Sequence, residues 1–193
     1  VGAKSTFNLP FQQHLFSVNH IPVPNAENLS TVKELFSDLL KSGEVAAFIF
    51  EPLVHGAGGM LMHEAKHLDE LLKIAKQQKV VCIADEVMTG FGRTGKTFAT
   101  DYLQHKPDIF CLSKGITGGF LPLGITTCKQ EIFDAFLSSD KLKTFFHGHS
   151  YTANPTACSA GLASLDLMEK EETWTQIRMI SAANQAFATK FKK

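Results

Sequence analysis

Two apolar runs, each leading to a charged residue, set the framework of this chain. Residues 80–84 are apolar and are followed by Asp85, and residues 108–112, apolar after the first position, lead to Lys114. Short apolar runs of this length are typical of buried strands in a parallel sheet. Because ligands of open α/β sheets bind at the carboxyl ends of the strands, we expect Asp85 and Lys114 to share one crevice.

An amine and a carboxylate at one sheet edge match the chemical needs of pyridoxal phosphate. A lysine amine forms the Schiff base with the aldehyde of this cofactor, and a carboxylate holds a proton on the pyridine nitrogen. A nearby negative charge favours the protonated form of that nitrogen, which makes the ring an electron sink. Asp85 and Lys114 therefore predict a cofactor site.

Five short segments add a resemblance to a known family. They are FEP at residues 50–52, AGG at 57–59, ADEV at 84–87, TGFGRTG at 89–95 and SKG at 113–115. In this order and spacing they resemble the class III pyridoxal phosphate aminotransferases. The stretch FHGHSYTANP at residues 146–155 is similar to the phosphate-contacting loop of the diaminopelargonic acid aminotransferases, the branch of the family that acts in biotin synthesis. The resemblance is strong over residues 44–168 and weak at both ends.

Strands that alternate with helices predict an α/β fold with a largely parallel sheet and helices on both faces. We expect strands at residues 45–50, 80–84, 108–112 and 121–126, and helices at residues 32–41, 67–78, 129–137, 155–169 and 173–190. The pattern TVKE at residues 31–34 is a capping box and predicts where the first helix begins. Residues 1–28 predict an irregular connecting segment with at most one short strand.

The resemblance implies the three-layer large domain of the fold-type-I pyridoxal phosphate-dependent transferases. We expect residues 1–170 to form this domain without its upstream segment. Residues 171–193 would form a helix that leads toward a C-terminal small domain. Since the first residue is Val1 rather than Met, we expect a processed, truncated or partial chain.

The resemblance also implies a role for each residue around the predicted cofactor. Lys114 would carry the cofactor and relay a proton from the substrate carbon, acting as anchor and general base. Asp85 would contact the ring nitrogen, and Val87 would pack on the ring. Taken alone, Asp85 also fits a helix cap or surface turn, Val87 ordinary core packing and Lys114 a surface position.

The loop at residues 146–155 would supply the remaining cofactor contacts. Ser150, where the family usually has Thr, offers a hydroxyl to a phosphate, with His149 beside that phosphate and Gly148 near the substrate. In the resembled enzymes this loop reaches the cofactor of the neighbouring subunit, so the resemblance implies a homodimer with shared active sites. A metal pair of His147 and His149 is the rival interpretation, and it lacks further ligands, so we predict no metal site.

Two further residues near the strand ends have open roles. By the resemblance, Arg93 would contact the carboxylate of the acceptor substrate; otherwise it would form a surface ion pair. Glu51 would orient groups around the site or form a structural salt bridge. Five positions after Glu51, several ω-aminotransferases carry a second Glu that pairs with an arginine. Gly56 stands here, which argues against ornithine- or 4-aminobutyrate-type substrates.

Two familiar sequence motifs occur in this chain, but their positions relative to the expected strands and helices argue against the functions they usually indicate. The sequence GFGRTGKT at residues 90–97 satisfies the Walker A expression, and its glycines also match the dinucleotide-binding expression. Both kinds of site follow a strand almost directly and open a helix, yet residues 85–89 intervene here. The sequence HEAKH at residues 63–67 matches the zinc-protease expression, but it straddles an expected helix start and lacks a third ligand.

Composition excludes several classes of partner. Lys and Arg number 19, as do Asp and Glu, so no net charge favours nucleic acid or an anionic membrane. No apolar run approaches the length that spans a bilayer. The cysteines lie mostly in apolar runs without metal-ligand spacing, which predicts buried free thiols and a reducing, cytoplasmic location. They are Cys82, Cys111, Cys128 and Cys158.

By the resemblance, the reaction moves an amino group to 8-amino-7-oxononanoate and gives 7,8-diaminononanoate. Adenosylmethionine and lysine are both possible amino donors, so the expected partners are a small-molecule donor, a keto acceptor and a second copy of the chain. Three alternatives stay open: another class III ω-aminotransferase, a P-loop nucleotide-binding module, and a partial domain that cannot complete a site alone.

Overall fold

The structure is a computed structural model that describes residues 9–191, with a central sheet and flanking helices. Its strands are β1 (Ala47–Phe50), β2 (Val54–His55), β3 (Leu61–Met62), β4 (Val81–Asp85), β5 (Ile109–Leu112) and β6 (Ile125–Cys128). Its α-helices are α1 (Leu29–Lys41), α2 (Ala65–Gln77), α3 (Gln130–Asp134), α4 (Pro155–Met168) and α5 (Glu171–Lys190).

The main sheet has four strands in the order β1-β4-β5-β6. β1 pairs in parallel with β4, and β4 pairs in parallel with β5, whereas β6 runs antiparallel to β5. A parallel neighbour needs a crossover connection, usually an α-helix, but the chain between β5 and β6 contains only a short 3-10 helix, Lys114–Thr117. The prediction of a largely parallel sheet is confirmed.

The apolar faces of α1 and α2 pack against this sheet. Their buried residues recur at helical spacing and join residues of β1 and β4 in one cluster. The members are Val32, Phe36, Leu40, Phe50, Leu68, Leu71, Leu72, Ala75, Val80, Cys82, Ala84 and Leu103. Each fully buried leucine of the cluster contributes about 1.5–3 kcal/mol. Because side chains alternate along a strand and Ala84 faces the cluster, Asp85 points to the other face.

Asp108 fastens the start of β5 to the neighbouring elements. Its carboxylate accepts hydrogen bonds from the Cys82 backbone N–H at 2.8 Å, from Lys76 Nζ at 2.5 Å and from Lys129 Nζ at 2.7 Å. Its own N–H donates to Cys82 O at 2.7 Å. Burial raises the pKa of the Asp108 carboxyl, but the hydrogen bonds from the two lysines and the backbone lower it more, so the net pKa lies below its ordinary value.

The first helix begins earlier than predicted. α1 starts at Leu29, so Thr31 lies inside its first turn and the predicted capping box is wrong. The N-cap residue is Asn28, whose side chain makes no capping bond. Instead, Asn25 Oδ1 accepts hydrogen bonds from the N–H groups of Glu27 and Asn28, both at 2.9 Å. This side-chain turn leads the chain into the helix, since asparagine readily bonds to backbone groups just after it.

The last strand also lies later than predicted, at Ile125–Cys128 rather than residues 121–126. Two side chains hold residues 121–124 as a loop. Ser113 Oγ donates to Leu123 O at 2.7 Å, and Thr117 Oγ1 donates to Leu121 O at 2.6 Å. These bonds occupy backbone acceptors that a ladder would use, and Pro122 has no N–H to donate. The remaining predicted elements are confirmed, although α3 ends at Asp134 rather than at residue 137.

The predicted irregular segment agrees with the structure over residues 9–28, whereas the prediction of buried cysteines needs correction. Residues 9–28 contain a 3-10 helix, Leu9–His14, and no strand, while residues 1–8 of the predicted irregular segment lie outside the described part of the chain. The four cysteines are free as predicted, but Cys128 and Cys158 are exposed because β6 and much of α4 face solvent. Among residues 9–191, no helix is both long and apolar enough to cross a membrane.

A small hairpin that was not predicted follows β1. β2 and β3 pair in an antiparallel manner across residues 56–60. At the end of this connection Gly59 has φ 91° and Met60 has φ 58°, both in the left-handed region. The run Gly-Ala-Gly-Gly at residues 56–59 is the sequence signal for this turn.

His63 fixes the end of this hairpin in a half-buried position. Its backbone N–H donates to Leu53 O at 2.9 Å, and its Nε2 donates to Glu51 O at 3.0 Å. Its Nδ1 is buried and has no hydrogen-bond partner among residues 9–191. Burial lowers the pKa of His63 below its ordinary value; the hydrogen bond to Glu51 opposes this in part, and His55 adds to it.

Replacing Asp108 tests the connection at the start of β5. Asp108→Asn leaves the lysines without their anion, so we expect a loss of about 2 kcal/mol in the free energy of unfolding at pH 7. Because the pKa of Asp108 is lowered on folding, its contribution is complete above about pH 4 and is lost as the pH falls further. Urea unfolding between pH 7 and pH 3 measures both effects. The exposed Asp134→Asn is the control, and an equal loss in both variants would contradict the assignment.

His63 predicts a second pH effect, whose cause is burial of the ring rather than hydrogen bonds to a charged group. The unfolded chain takes up a proton at about pH 6.5, whereas the folded chain resists it because the pKa of His63 is lowered. Stability is therefore greatest above pH 6.5 and falls as the pH drops through this value. We expect His63→Gln to flatten the difference in urea midpoint between pH 7.5 and pH 5.5. His14→Gln, at an exposed position, should leave the difference unchanged.

Candidate active site

The parallel pairing of β4 with β5 brings two of the predicted residues to one sheet edge. Asp85, the last residue of β4, is the register partner of Cys111 on β5. Lys114 follows β5 after Leu112 and Ser113. Since both strands run in the same direction, Asp85 and Lys114 lie at the same carboxyl edge, as the sequence predicts.

The Asp85 carboxylate is held by the turn that follows it. Its Oδ1 accepts a hydrogen bond from the Val87 N–H at 3.0 Å, which is the only hydrogen bond to this carboxylate among residues 9–191. Val87 itself is half-buried directly beyond the strand. Burial raises the pKa of the Cys111 thiol, and the charge of Asp85 raises it further, because the two side chains share one face of the sheet.

Lys114 has an unusual backbone conformation. Its φ is 47°, in the left-handed region, which costs a side-chain-bearing residue about 1–2 kcal/mol. It begins the 3-10 helix Lys114–Thr117, which ends at Gly118 with φ 61°. α4 packs on this 3-10 helix, and Ser164 Oγ donates to Gly115 O at 3.4 Å. The side chain of Lys114 is exposed and takes part in none of the ion pairs within residues 9–191.

Glu86 is a buried carboxyl group beside the predicted site that sequence reasoning missed. Its exposed fraction is 0%. Its side-chain oxygens accept hydrogen bonds from Thr89 Oγ1 at 2.6 Å, from the Ala99 N–H at 3.1 Å and from the Thr100 N–H at 2.7 Å. The signal available in the sequence was a second acidic residue directly after Asp85, where a solvated turn would not need one.

The glycine-rich loop after Glu86 touches the loop that carries Lys114. A Cβ placed on Gly115 would lie 2.9 Å from Phe91 Cβ and 3.1 Å from Phe91 Cδ2. Phe91 has φ 58°, and its ring packs against Phe98 with centroids 5.6 Å apart. Phe98 in turn contacts Phe110 on β5, at 5.9 Å. Gly115 therefore permits a contact that no other residue would allow without movement.

Arg93 lies in the same loop and is exposed. It takes part in no ion pair among residues 9–191, so the surface ion pair that was the alternative interpretation is not formed there. Its predicted contact with a substrate carboxylate stays a prediction.

Gly148, His149 and Ser150 lie in an exposed loop before α4. The hydrogen bonds of this loop are local: the His149 N–H donates to Thr152 Oγ1 at 2.9 Å, and His149 Nδ1 accepts from the Tyr151 N–H at 3.1 Å. Within residues 9–191, no hydrogen bond joins the loop to Asp85 or Lys114. Two N–H groups in the first turn of α4 are not free for a phosphate, because Asn154 Oδ1 accepts hydrogen bonds from the N–H groups of residues 156 and 157.

Glu51 follows β1 at the same edge and organises the hairpin, and it forms no salt bridge with another of residues 9–191. Its Oε2 accepts a hydrogen bond from the Gly56 N–H at 2.8 Å. A Cβ on Gly56 would lie 2.5 Å from Met88 Sδ, so any larger residue here would have to displace Met88. The absence of a second Glu at this position therefore matches the local packing.

The structure agrees with the rejection of both misleading patterns. Residues 90–97 form turns after the Glu86 segment, and the next helical element is a 3-10 helix at Ala99–Tyr102, so they do not open a helix. Glu64 is the N-cap of α2, which leaves His63 outside the helix that contains His67. No group of three or more metal-ligating side chains occurs among residues 9–191.

Comparison with known proteins identifies the family. Residues 2–191 match the family model described as aminotransferase class-III. The chain is 47% identical over 184 residues to the adenosylmethionine-8-amino-7-oxononanoate aminotransferase of Synechococcus elongatus, an alignment that covers 91% of this chain and 43% of that relative.

Solved structures give the same result. The adenosylmethionine-8-amino-7-oxononanoate aminotransferase of Methanocaldococcus jannaschii matches with a TM-score of 0.84 and 37% identity, over 96% of this chain and 43% of that one. The ornithine aminotransferase of Toxoplasma gondii, described with pyridoxal phosphate at partial occupancy in its active site, matches with a TM-score of 0.64 and 27% identity, over 74% and 32%.

These likenesses confirm the predicted α/β fold class. The chain spans less than half the length of the two adenosylmethionine-8-amino-7-oxononanoate aminotransferases. With its sequence matched over nearly all of its residues, this chain belongs to the class III aminotransferases, a pyridoxal phosphate-dependent family.

Proposed function

We propose that the protein containing this chain transfers an amino group to 8-amino-7-oxononanoate, with pyridoxal phosphate as its cofactor. One observation carries the proposal: Asp85 ends β4 and Lys114 follows the neighbouring parallel strand β5, in a chain 47% identical to an adenosylmethionine-8-amino-7-oxononanoate aminotransferase. The amino donor would be adenosylmethionine, as in the name of that relative, or lysine. The donor amine becomes a carbonyl group while the acceptor ketone becomes an amine, so the exchange balances without another reactant.

The residues at the sheet edge fit the cofactor. Only one hydrogen bond reaches the Asp85 carboxylate within residues 9–191, which leaves its second oxygen for a ring nitrogen. The exposed amine of Lys114 has no carboxylate partner in the same part of the chain. Val87 offers an apolar surface beside Asp85, suited to packing on a flat ring.

The chain's own residues would divide the work as follows. Bound pyridoxal phosphate supplies an aldehyde and an electron-withdrawing ring. Lys114 Nζ would bind the aldehyde carbon and, as a free amine, would take a proton from the substrate carbon as general base. Asp85 would keep the ring nitrogen protonated through its negative charge.

The loop before α4 would complete the site of a second copy. Ser150 would bind a phosphate of the partner's cofactor, with His149 beside it and Gly148 near the substrate. The exposure of this loop and its purely local hydrogen bonds support such an arrangement in a homodimer. Arg93, which has no ion-pair partner within residues 9–191, would meet the acceptor carboxylate.

Three further points belong to the proposal. The lack of a second Glu at Gly56, where a Cβ would lie 2.5 Å from Met88 Sδ, favours an acceptor other than ornithine- or 4-aminobutyrate-type substrates. Residues 1–170 would form the cofactor-binding domain, and α5 would lead toward a small domain. The four free cysteines favour a reducing compartment such as the cytoplasm.

The first test is an absorbance spectrum after addition of pyridoxal phosphate. We expect a visible band in the wild-type protein, because Lys114 binds the aldehyde, and its loss in Lys114→Ala. Lys79→Ala is a matched control, since Lys79 is also exposed and has a positive φ of 57° but precedes β4 at the opposite sheet edge. A band that survives in Lys114→Ala, or disappears equally in Lys79→Ala, would contradict the assignment of Lys114 as the residue that binds the cofactor.

The second test replaces the carboxylate. Asp85→Asn keeps the shape of the side chain but removes the charge that favours the ring proton, so kcat with 8-amino-7-oxononanoate should fall by roughly 10²-fold or more. Adenosylmethionine and lysine are assayed separately as donors. Asp101→Asn removes an exposed carboxylate that accepts a hydrogen bond from the Phe98 N–H and should keep kcat within about twofold. Equal effects of the two substitutions would contradict the role of Asp85.

A further inference from the structure

The burial of the Glu86 carboxyl group is not explained by the proposed reaction. A carboxyl group is costly to bury unless hydrogen bonds compensate it. Glu86 is fully buried, and no Lys, Arg or His side chain forms an ion pair with it among residues 9–191. All the donors that reach its side chain belong to the following loop, so its burial serves the shape of that loop.

Glu86 holds both ends of the loop that follows it. At the near end, the Gly90 N–H donates to Glu86 O at 2.9 Å and Thr89 Oγ1 donates to Oε2. At the far end, the N–H groups of Ala99 and Thr100 donate to the carboxyl oxygens. One residue therefore closes the intervening chain into a compact unit.

The closed loop presses Phe91 against the segment that carries Lys114. Phe91 is wedged between Gly115 and the ring of Phe98. Both Phe91 and Lys114 have left-handed backbones, with φ of 58° and 47°. Such conformations persist only where the surroundings over-determine them, and they cluster at functional sites. The contact between Phe91 and Gly115 supplies this constraint directly beside Lys114.

We propose that Glu86 is a positioning residue for Lys114. By closing the loop, Glu86 keeps Phe91 against Gly115, and this contact holds Lys114 in the backbone conformation that directs its amine toward the cofactor. The role of the amine rests on the proposed function, whereas the connection from Glu86 to the Lys114 segment is a property of the chain itself.

The test compares Glu86→Gln with Glu131→Gln, a matched change on the exposed face of α3. The first readout is hydrogen exchange at the amides of residues 113–118 in the protein without added cofactor. The second readout is the pH midpoint of the visible band after addition of pyridoxal phosphate. We expect Glu86→Gln to speed exchange at residues 113–118 roughly tenfold and to shift the midpoint, and Glu131→Gln to change neither.

A second set of variants tests the route through Phe91. Gly115→Ala introduces a Cβ 2.9 Å from Phe91 Cβ and should raise exchange at residues 113–118 and shift the midpoint. Phe91→Gly removes the side chain that packs on Gly115, at a position whose positive φ glycine adopts without strain, so on its own it should raise exchange at residues 113–118 and shift the midpoint as Glu86→Gln does. In the Phe91→Gly background, Glu86→Gln should have little further effect on residues 113–118.

The outcomes separate this inference from the proposed function. If Glu86→Gln lowers only the melting temperature and leaves residues 113–118 as in Glu131→Gln, Glu86 has a structural role alone and the inference is wrong. Additive effects of Glu86→Gln and Phe91→Gly would also overturn it. If Glu86→Gln does not fold, a Phe91→Gly variant that exchanges at residues 113–118 like the wild type decides against it. If the wild-type protein shows no Lys114-dependent band, the proposed function is contradicted. The hydrogen-exchange data still test whether Glu86 constrains the Lys114 segment.

Discussion

The parallel pairing of β4 with β5 is the interaction on which the candidate site depends. Its register makes Asp85 the partner of Cys111 and thereby brings the Lys114 loop to the same edge. A slip by one residue would turn the Asp85 side chain toward the face covered by α1 and α2. Asp108, which bonds to the backbone of Cys82 at the other end of the pairing, opposes this slip. Asp108 thus fixes the register near the start of β5, and the register places Asp85 and the Lys114 loop together at the carboxyl ends of the strands.

Two buried carboxyl groups beside these strands are stabilised in different ways. Asp108 has two lysine partners and a backbone donor, so its contribution depends on charge and on pH. Glu86 has a hydroxyl and two backbone N–H donors. The first arrangement ties separate elements of the sheet together. The second shapes a single loop, which is the part of the molecule that approaches the reacting groups.

The sequence was sufficient for features that depend on local pattern. Continuous apolar runs identified β4 and β5, and the direction of both strands followed from the alternation with helices, so Asp85 and Lys114 could be placed together. It was insufficient where side chains bond to distant backbone. Ser113 and Thr117 hold residues 121–124 out of β6, and Glu86 reaches residues 99 and 100. None of these bonds leaves a periodic signal in the sequence, because the partners are brought together only by the finished fold.

The exposure of the loop around Ser150 has a consequence for how defects would be shared between the subunits of the proposed homodimer. Each catalytic centre would take Lys114 from one chain and Ser150 from the other. A mixed dimer of a chain defective at Lys114 and a chain defective at Ser150 would collect both defects in one centre and leave the other centre intact. Two inactive proteins could then restore each other by exchanging subunits, a form of complementation that enzymes with self-contained centres do not show.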